Sequence, residues 1–307
     1  MKSVSVITVN FNQRVVTEAL LDSIFSKNRY QPIEVIVVDN GSKDDPVPSW
    51  KSKYPAIKFI RSNANLGFAG GNNLGRKEAN GDYLFFINND TEVTEHLIEE
   101  LVNTLDKHPE VGMVSPKIRY YSQPDTLQYA GFSKMNFYTA RTACIGQFEK
   151  DKGQYDHLTG ETGYIHGAAM MVRREAIDKV GVMPENYFLY YEEMDWCEQI
   201  KRAGYKVWVN MQAVIYHKES LTVGSSSLLK EYFMNRNRIL FIRRNATFFQ
   251  RFIFWPYFII VVAPRNIYNY IKNKQWSFVR VLLRAITWNM ANGVDSKNFG
   301  YPIKSIS

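Results

Sequence analysis

The sequence predicts an α/β fold, with a mostly parallel central sheet flanked by helices and a basic, apolar, helical C-terminal extension. Short apolar runs rich in β-branched residues alternate with stretches of helical periodicity, which is the pattern of βαβ units. The 307 residues are 45% hydrophobic and 14% aromatic, which is enough to bury a large core. Positive charge is concentrated in the last fifth of the chain.

Local patterns define the elements in order. The run at 83–87 (YLFFI) is apolar throughout, as in a strand buried on both faces. Val16, Leu20 and Ile24 recur every four residues and therefore share one helix face. Residues 120–165 lack a clean period and are interpreted as hairpins and a loop. Strands are predicted at 4–9, 33–38, 57–60, 83–87, 112–118 and 206–215, and helices at 15–27, 69–79, 95–107, 174–180 and 193–203.

Charge divides the chain near residue 230. Residues 1–231 contain 26 basic and 29 acidic residues, whereas residues 232–294 contain ten basic residues and no acidic one. We therefore expect a first domain at 1–230 and an extension at 231–307 that lies beside an anionic partner. Two cysteines without a CxxC spacing, and a start without a leader pattern, predict a protein on the cytosolic side.

Two polar segments follow the early strands. Asp39 begins a DNGS segment, where its carboxylate could accept hydrogen bonds from a ribose or a base, or could simply stabilise a turn. The glycine-rich segment 63–73 (NANLGFAGGNN) would let the backbone approach an anionic or nucleotide ligand, although such a loop also occurs without one. Its spacing matches neither a P-loop nor GxGxxG, which argues against NTPases and dehydrogenases.

Asn88 and Asp90 end the strand at 83–87. Spaced two residues apart, they project to the same side and could meet one hard cation and a diphosphate bound to it. Alternatively, Asp90 or Thr91 caps a following helix.

An acidic cluster and a histidine follow further along the chain. Glu192, Glu193 and Asp195 stand at a predicted helix start, where they would complement the helix dipole or provide a general base in a partly apolar pocket. His217 follows a strand and is either structural or, if it lies near Asp90, a metal ligand.

Taken in order, these motifs resemble glycosyltransferase family 2, the inverting nucleotide-sugar enzymes of the glycosyltransferase-A fold, and in particular its rhamnosyltransferase-like branch in bacterial surface-polysaccharide assembly. The resemblance covers about residues 3–245. It rests on the segments at 6–12, 37–42, 65–72, 88–91, 167–174, 191–195 and 203–205, and on His217.

The resemblance implies roles for these residues. Asp39 would contact the base or ribose, Asp90 and His217 would bind Mn²⁺ or Mg²⁺, and Asn88 occupies the first position of the family's Asp-x-Asp motif. Glu193 stands where the family has its catalytic Asp, so Glu193 or Asp195 would be the base, with Glu192 beside it. The donor-binding set would be Thr8, Asn10, Asn12, Asp39, Asn65, Gly67, Gly71, Asn72 and Asn88, and the sugar or acceptor pocket would include His166, Gly167 and Trp196.

By this resemblance, the chain would transfer a sugar such as rhamnose from a UDP- or dTDP-linked donor to a glycan acceptor, expected to be lipid-linked. The alternative is an inactive, membrane-attached scaffold of the same fold. Nucleic acid is not an expected partner, because the acidic strand ends would repel phosphate.

Residues 252–263 form an apolar run of twelve between Arg251 and Arg265, shorter than the about 20 residues of a membrane span. We expect an interfacial or re-entrant helix on the inner face of the cytoplasmic membrane. The alternatives are a helical hairpin packed on the catalytic domain or a homodimer interface, and Arg236 and Asn237 could instead contact a diphosphate.

Overall fold

The computed structural model describes residues 1–218 and 227–302. In this part of the chain, ten strands form a single sheet. They are β1 (Val4–Asn10), β2 (Ile33–Asp39), β3 (Lys58–Arg61), β4 (Tyr83–Ile87), β5 (Thr91–Val93), β6 (Val111–Tyr120), β7 (Leu127–Tyr129), β8 (Gly160–Glu161), β9 (Ala169–Arg173) and β10 (Lys206–His217).

Helices cover both faces of the sheet and form the C-terminal part of the molecule. The described residues include α1 (Arg14–Lys27), α2 (Val47–Lys53), α3 (Gly67–Lys77), α4 (Leu97–Lys107), α5 (Arg174–Val180), α6 (Glu192–Arg202), α7 (Leu228–Asn245), α8 (Phe248–Tyr257), α9 (Ala263–Lys272) and α10 (Trp276–Ala291). A π-helical turn, Phe258–Val262, joins α8 to α9.

The predicted α/β class is confirmed. The sheet has the order β3-β2-β1-β4-β9-β6-β10-β5, with β7 beside β6 and β8 beside β10. Strands β1 to β4 are parallel where they pair, as are β6 and β10. Strand β9 runs antiparallel between β4 and β6, so β6 and β10 point the same way as β4. The carboxyl ends of β1, β4 and β10 therefore meet at one edge.

The segment after β4 differs from one of the predicted alternatives. Thr91 does not cap a helix, because it begins strand β5, and α4 starts only at Leu97. Strand β5 pairs antiparallel with the end of β10, with Thr91 opposite His217. This register brings the residue before Thr91, which is Asp90, to the end of β10.

The C-terminal helices share their core with the sheet. The predicted boundary at residue 230 falls inside α7, and one hydrophobic cluster joins Ile7 and Phe86 of the sheet to Phe241, Phe254 and Trp288 of the C-terminal helices. Phe254 is buried in this cluster, whereas its neighbour Phe252 is 66% exposed, so the apolar run 252–263 has an inner and an outer face. None of the helices in the described residues is long and apolar enough to cross a bilayer.

Candidate functional site

A cleft of about 920 Å³ opens at the edge where β1, β4 and β10 end. Its walls come from segments far apart in sequence: the loop after β1, the start of α3, the turn after β4, the start of α6 and the end of β10. The predicted residues that line it are Asn12, Asn65, Gly67, Asn72, Asn88, Asp90, His166, Gly167, Glu192, Glu193 and His217.

Asp90 and His217 face each other at the floor of the cleft. Oδ1 of Asp90 lies 3.1 Å from Nε2 of His217, and both side chains are buried. The other ring nitrogen, Nδ1, lies 2.8 Å from Oε1 of Gln128. An amide oxygen can only accept, so Nδ1 carries a proton, and Nε2 is the ring nitrogen that faces Asp90.

This pair brings a carboxylate oxygen and an imidazole nitrogen together at the floor of the cleft. Asp90 Oδ1 receives no hydrogen bond, which is costly for a buried carboxylate oxygen. A carboxylate oxygen and an imidazole nitrogen are ligands suited to Mn²⁺ and related divalent ions. The residues present therefore fit a divalent cation held by Asp90 and His217. No group of three or more His, Cys, Asp or Glu residues suited to a metal occurs in residues 1–218 and 227–302.

Three of the predicted donor-binding residues lie beneath the cleft rather than on its wall. Asp39 is fully buried and accepts hydrogen bonds from Asn10 Nδ2, at 2.8 Å, and from the Ser42 hydroxyl. Thr8 is also fully buried, and its hydroxyl has no hydrogen-bond partner. The Ser42 hydroxyl also accepts from the Asn12 amide at 2.8 Å, so Asn10, Asp39 and Ser42 together hold the loop that Asn12 carries to the cleft wall.

The glycine-rich loop closes tightly against a neighbouring loop. Gly67 has a φ of 74°, and a Cβ on it would lie 2.3 Å from the carbonyl oxygen of Phe188. Gly71 does not line the cleft, because it packs on Val9, where a Cβ would lie 2.8 Å from Cγ1. Asn40, which the sequence reading did not single out, holds the loop by donating from Nδ2 to Gly67 O at 3.1 Å.

Glu192 and Glu193 begin α6 and line the cleft opposite Asp90. Burial raises the pKa of Glu193 to about 7. Burial, and then the neighbouring Glu193, raise the pKa of Glu192 well above its usual range, and Glu192 Oε2 has no hydrogen-bond partner. A carboxylate with a pKa near 7 is suited to accept a proton at neutral pH.

Two residues predicted near this wall lie elsewhere. Asp195 is fully buried, with Arg244 Nε at 2.9 Å and Asn245 Nδ2 at 2.6 Å, and it does not line the cleft. Asp195 lies two residues after Glu193, which is about 200° around the helix axis, so the two carboxylates point to opposite sides of α6 and Asp195 binds α7. Trp196 also lies outside the cleft, and its Nε1 donates to Gly181 O at 3.0 Å.

His166 and Gly167 complete the wall near the Asp90–His217 pair. His166 Nδ1 accepts from the Ala168 amide at 3.1 Å, so Nε2 carries the proton of the neutral ring. Burial, followed by the nearby His217, lowers the pKa of His166 to about 3. It therefore stays an uncharged donor at neutral pH. Gly167 leaves room for Glu193, whose Cγ would lie 3.7 Å from a Cβ at this position.

Arg236 and Asn237 do not reach the cleft. Both are fully buried, and they donate to backbone carbonyls of residues 186–190. The alternative in which they contact a diphosphate is therefore wrong.

Comparison with known proteins identifies sequence relatives. The family model described as Glycosyl transferase family 2 matches residues 5–181. The N-acetylglucosaminyl-diphospho-decaprenol L-rhamnosyltransferase of Mycobacterium tuberculosis is 26% identical over 214 residues, which cover 62% of this chain and 69% of that protein. The low-salt glycan biosynthesis hexosyltransferase Agl10 of Haloferax volcanii is 28% identical over 192 residues, covering 59% of each chain.

Solved structures share the fold at low identity. A mannosyltransferase from Pyrobaculum calidifontis, in complex with GDP-Man and Mn²⁺, superposes with a TM-score of 0.58 at 16% identity and covers 94% of this chain and 87% of its own. GalNAc-T7, with UDP, GalNAc and Mn²⁺, gives a TM-score of 0.61 at 14% identity and covers 79% of this chain and 48% of its own.

Proposed function

The chain belongs to glycosyl transferase family 2, and we propose that it transfers a sugar from a nucleoside-diphosphate sugar to a hydroxyl group of a glycan acceptor, with inversion. It has the glycosyltransferase-A fold. Its relatives include transferases of polysaccharide and glycan biosynthesis.

One observation supports this function above the others. The Asp90–His217 pair and Glu193 come from three distant segments and open onto the same cleft. The pair provides two ligands for Mn²⁺ or Mg²⁺, and a divalent ion bound there would stabilise the negative charge that develops on a leaving diphosphate. The remaining ligands would come from the donor itself.

Glu193 is the proposed general base. Its position in the cleft and its pKa of about 7 allow it to accept the proton of an acceptor hydroxyl as that oxygen attacks the anomeric carbon. Burial, and then the neighbouring Glu193, raise the pKa of Glu192 beside it well above its usual range, so the two carboxyl groups disfavour being ionised together.

The donor-binding wall is proposed from the residues that face the cleft. Asn12, Asn65, Gly67, Asn72 and Asn88 are placed to contact the nucleotide, with Thr8, Asn10 and Asp39 supporting them from below. His166, with its neutral Nε2–H, and Gly167 would border the sugar.

UDP- or dTDP-linked sugars, including dTDP-rhamnose, are the proposed donors, and a lipid-diphosphate-linked glycan is the proposed acceptor. The name of the mycobacterial relative supports rhamnose as the sugar and a lipid-diphosphate-linked acceptor, whereas the UDP or dTDP carrier follows from the family resemblance alone. A calorimetric screen of UDP-, dTDP- and GDP-sugars with Mn²⁺ tests it: one donor should bind, and slow hydrolysis of that donor should require Mn²⁺. Binding without hydrolysis or transfer would favour the inactive scaffold, and no binding would contradict the proposal.

We also propose that the outer face of α8 to α10 binds the inner surface of the cytoplasmic membrane. Large apolar side chains stand exposed there, with Phe248 at 77%, Phe252 at 66% and Ile260 at 72%. The same C-terminal segment carries five exposed cations: Arg265, Lys272, Lys274, Arg280 and Arg284. Each cation near an anionic leaflet contributes about 1 kcal/mol, which adds to the burial of the aromatic rings.

Sedimentation with vesicles tests this surface. The protein should bind phosphatidylglycerol vesicles more tightly than phosphatidylcholine vesicles, and a Phe248→Ser, Phe252→Ser double variant should bind at least about ten-fold more weakly. Phe148→Ser is the matched control, because Phe148 is 73% exposed on the catalytic side. Equal vesicle binding by all three proteins would contradict the proposal. It would also be contradicted if the wild-type protein does not bind vesicles but forms a dimer, and the double variant is a monomer.

A further inference from the structure

The loop that leads into α6 has an unusual backbone. Phe188, Tyr190 and Tyr191 have φ values of 66°, 69° and 75°, in the left-handed region that bulky residues rarely adopt. Each such residue costs on the order of 1–3 kcal/mol unless its surroundings enforce the conformation. Three of them within four residues require a dedicated support.

Helix α7 provides this support through two adjacent side chains. Asn237 Nδ2 donates to the carbonyl oxygens of Tyr187, Leu189 and Tyr190, at 3.0, 2.7 and 2.8 Å. Arg236 Nη1 donates to Asn186 O at 2.8 Å and to Asn237 Oδ1 at 2.6 Å. Both side chains are fully buried, so no water competes for these carbonyls.

The same loop borders the proposed chemistry on both sides. Phe188, Leu189 and Tyr190 line the cleft, and the loop runs directly into Glu192 and Glu193. The Phe188 carbonyl accepts from the Phe68 amide at 2.9 Å, beside Gly67 in the donor-binding wall. A shift of the loop would therefore displace Glu193 and the donor-binding wall together.

We propose that Asn237 is a positioning residue, which holds the strained 186–191 loop so that Glu193 faces the acceptor hydroxyl. This role rests on the proposed function of Glu193 as the base. Asn237 does not line the cleft, and it acts only through the loop. The C-terminal helices thus determine the geometry of a site built on the sheet.

Asn237→Asp tests the role, because it keeps the shape and the acceptor for Arg236 but removes the donor to three carbonyls. Asn289→Asp is the matched control: Asn289 is also buried, donates to Arg236 O and Ala285 O, and accepts from Arg243. Of these two asparagines, Asn237 donates to carbonyls of the loop, whereas the amide of Asn289 donates to carbonyls of α7 and α10. Asn237→Ser, which keeps one donor, replaces the Asp variant if that protein does not fold.

Amide hydrogen exchange and kinetics provide the readouts. In Asn237→Asp, exchange should accelerate in peptides covering 186–195, kcat should fall at least about ten-fold, and the acid limb of its pH profile should shift below 7 as Glu193 becomes hydrated. In Asn289→Asp, the exchange rate of peptides covering 186–195 and the value of kcat should both stay within about two-fold of wild type.

Equal exchange in peptides 186–195 of the two variants, or equal losses of kcat, would overturn the proposal. The exchange result does not depend on turnover. A wild-type protein that transfers no sugar would therefore contradict the proposed function, while the exchange data would still decide whether Asn237 holds the loop.

Discussion

At the residue scale, the central feature is a buried carboxylate oxygen and an imidazole nitrogen that face each other at 3.1 Å without a hydrogen bond to the oxygen. Gln128 Oε1 accepts from Nδ1 of His217, which leaves Nε2 as the ring nitrogen that can bind a metal. Partners that orient a ligating histidine commonly change metal affinity by 10–100-fold when they are removed.

We therefore expect Gln128→Leu to weaken Mn²⁺ binding about 10–100-fold, because Nδ1 loses its acceptor and the ring can adopt the other tautomer. Mn²⁺ titration followed by electron paramagnetic resonance, with UDP or dTDP present, measures this. Gln123→Leu is the control, because Gln123 is exposed in the same segment. Unchanged Mn²⁺ affinity in Gln128→Leu would contradict the orienting role.

Glu193 should determine the pH dependence of turnover. Since its pKa is about 7, kcat should rise through that pH and level off above it, and Glu193→Gln should lower kcat by about 10²–10⁴-fold and remove the acid limb. A variant with the wild-type pH profile would show that another group is the base.

The same group links pH to stability. The native pKa lies above the usual 4.5, so the folded state binds this proton more tightly than the unfolded state, and the stability it contributes is lost as pH rises through about 7. Glu193→Gln should consequently melt a few degrees above wild type at pH 8 and equally at pH 4. Thermal unfolding at both values checks this.

The sequence indicates some of these residues and not others. Asp90 and His217 follow buried strands, and parallel strands end at one edge, so their convergence can be predicted. Gln128 lies in a stretch without periodicity and meets a partner 89 positions away, so no local signal identifies it. The position of Asp195 outside the cleft cannot be predicted, because a cluster of acidic residues in the sequence does not reveal which side of the helix each carboxylate occupies.

At the scale of elements, the start of α3 depends on the absence of a side chain at Gly67. Ala at this position would place a Cβ 2.3 Å from Phe188 O and would also require a φ of 74°. Gly181 has a φ of 91° but nothing within 4 Å of its Cβ position. Ala at Gly181 would therefore introduce backbone strain without a steric clash, which makes this position the control for Gly67.

Gly181→Ala should cost about 1–3 kcal/mol of unfolding free energy and leave nucleotide affinity unchanged. Gly67→Ala should cost more and weaken UDP or dTDP binding at least about ten-fold, because the donor-binding wall must move. Denaturant unfolding and calorimetry separate the two effects. Equal nucleotide affinity in both variants would show that the Gly67–Phe188 contact does not shape the site.

A long strand or helix that is separated from its neighbours can be predicted from the sequence, whereas a short one, or one that runs directly into the next element, cannot. Strand β4 is apolar at all five positions and is predicted correctly. Strand β9 leads without a break into α5 at Arg174, so its pattern cannot be separated from that of the helix. Strand β5 has only three residues and exists because it pairs with β10, which is a long-range contact.

At the scale of the whole molecule, the change of charge near residue 230 does not coincide with a separation of cores. Phe254, Leu282 and Trp288 lie in the cluster that contains Ile7 and Phe86 of the sheet. The distribution of charged residues along the chain reflects what lies on the surface, whereas a domain boundary depends on which residues share a hydrophobic core. We propose that the sheet and the C-terminal helices fold as one unit, with the basic face outward.

Removal of residues 246–307 should therefore destabilise the whole protein. Each large buried side chain contributes about 1.5–3 kcal/mol, against a total stability of about 5–15 kcal/mol. We expect the shortened chain to aggregate or to melt more than about 10 °C lower by circular dichroism. A shortened chain with the wild-type melting temperature would indicate two independent domains.

The most direct test of the proposed active site is calorimetric titration of UDP and dTDP into wild type, Asp90→Ala and Glu193→Gln, each with and without Mn²⁺. Nucleotide binding should require Mn²⁺, should be lost in Asp90→Ala, and should persist in Glu193→Gln, which nevertheless does not turn over the donor sugar. Nucleotide binding that is the same with and without Mn²⁺ and survives Asp90→Ala would contradict the assignment of Asp90 and His217 to the donor site.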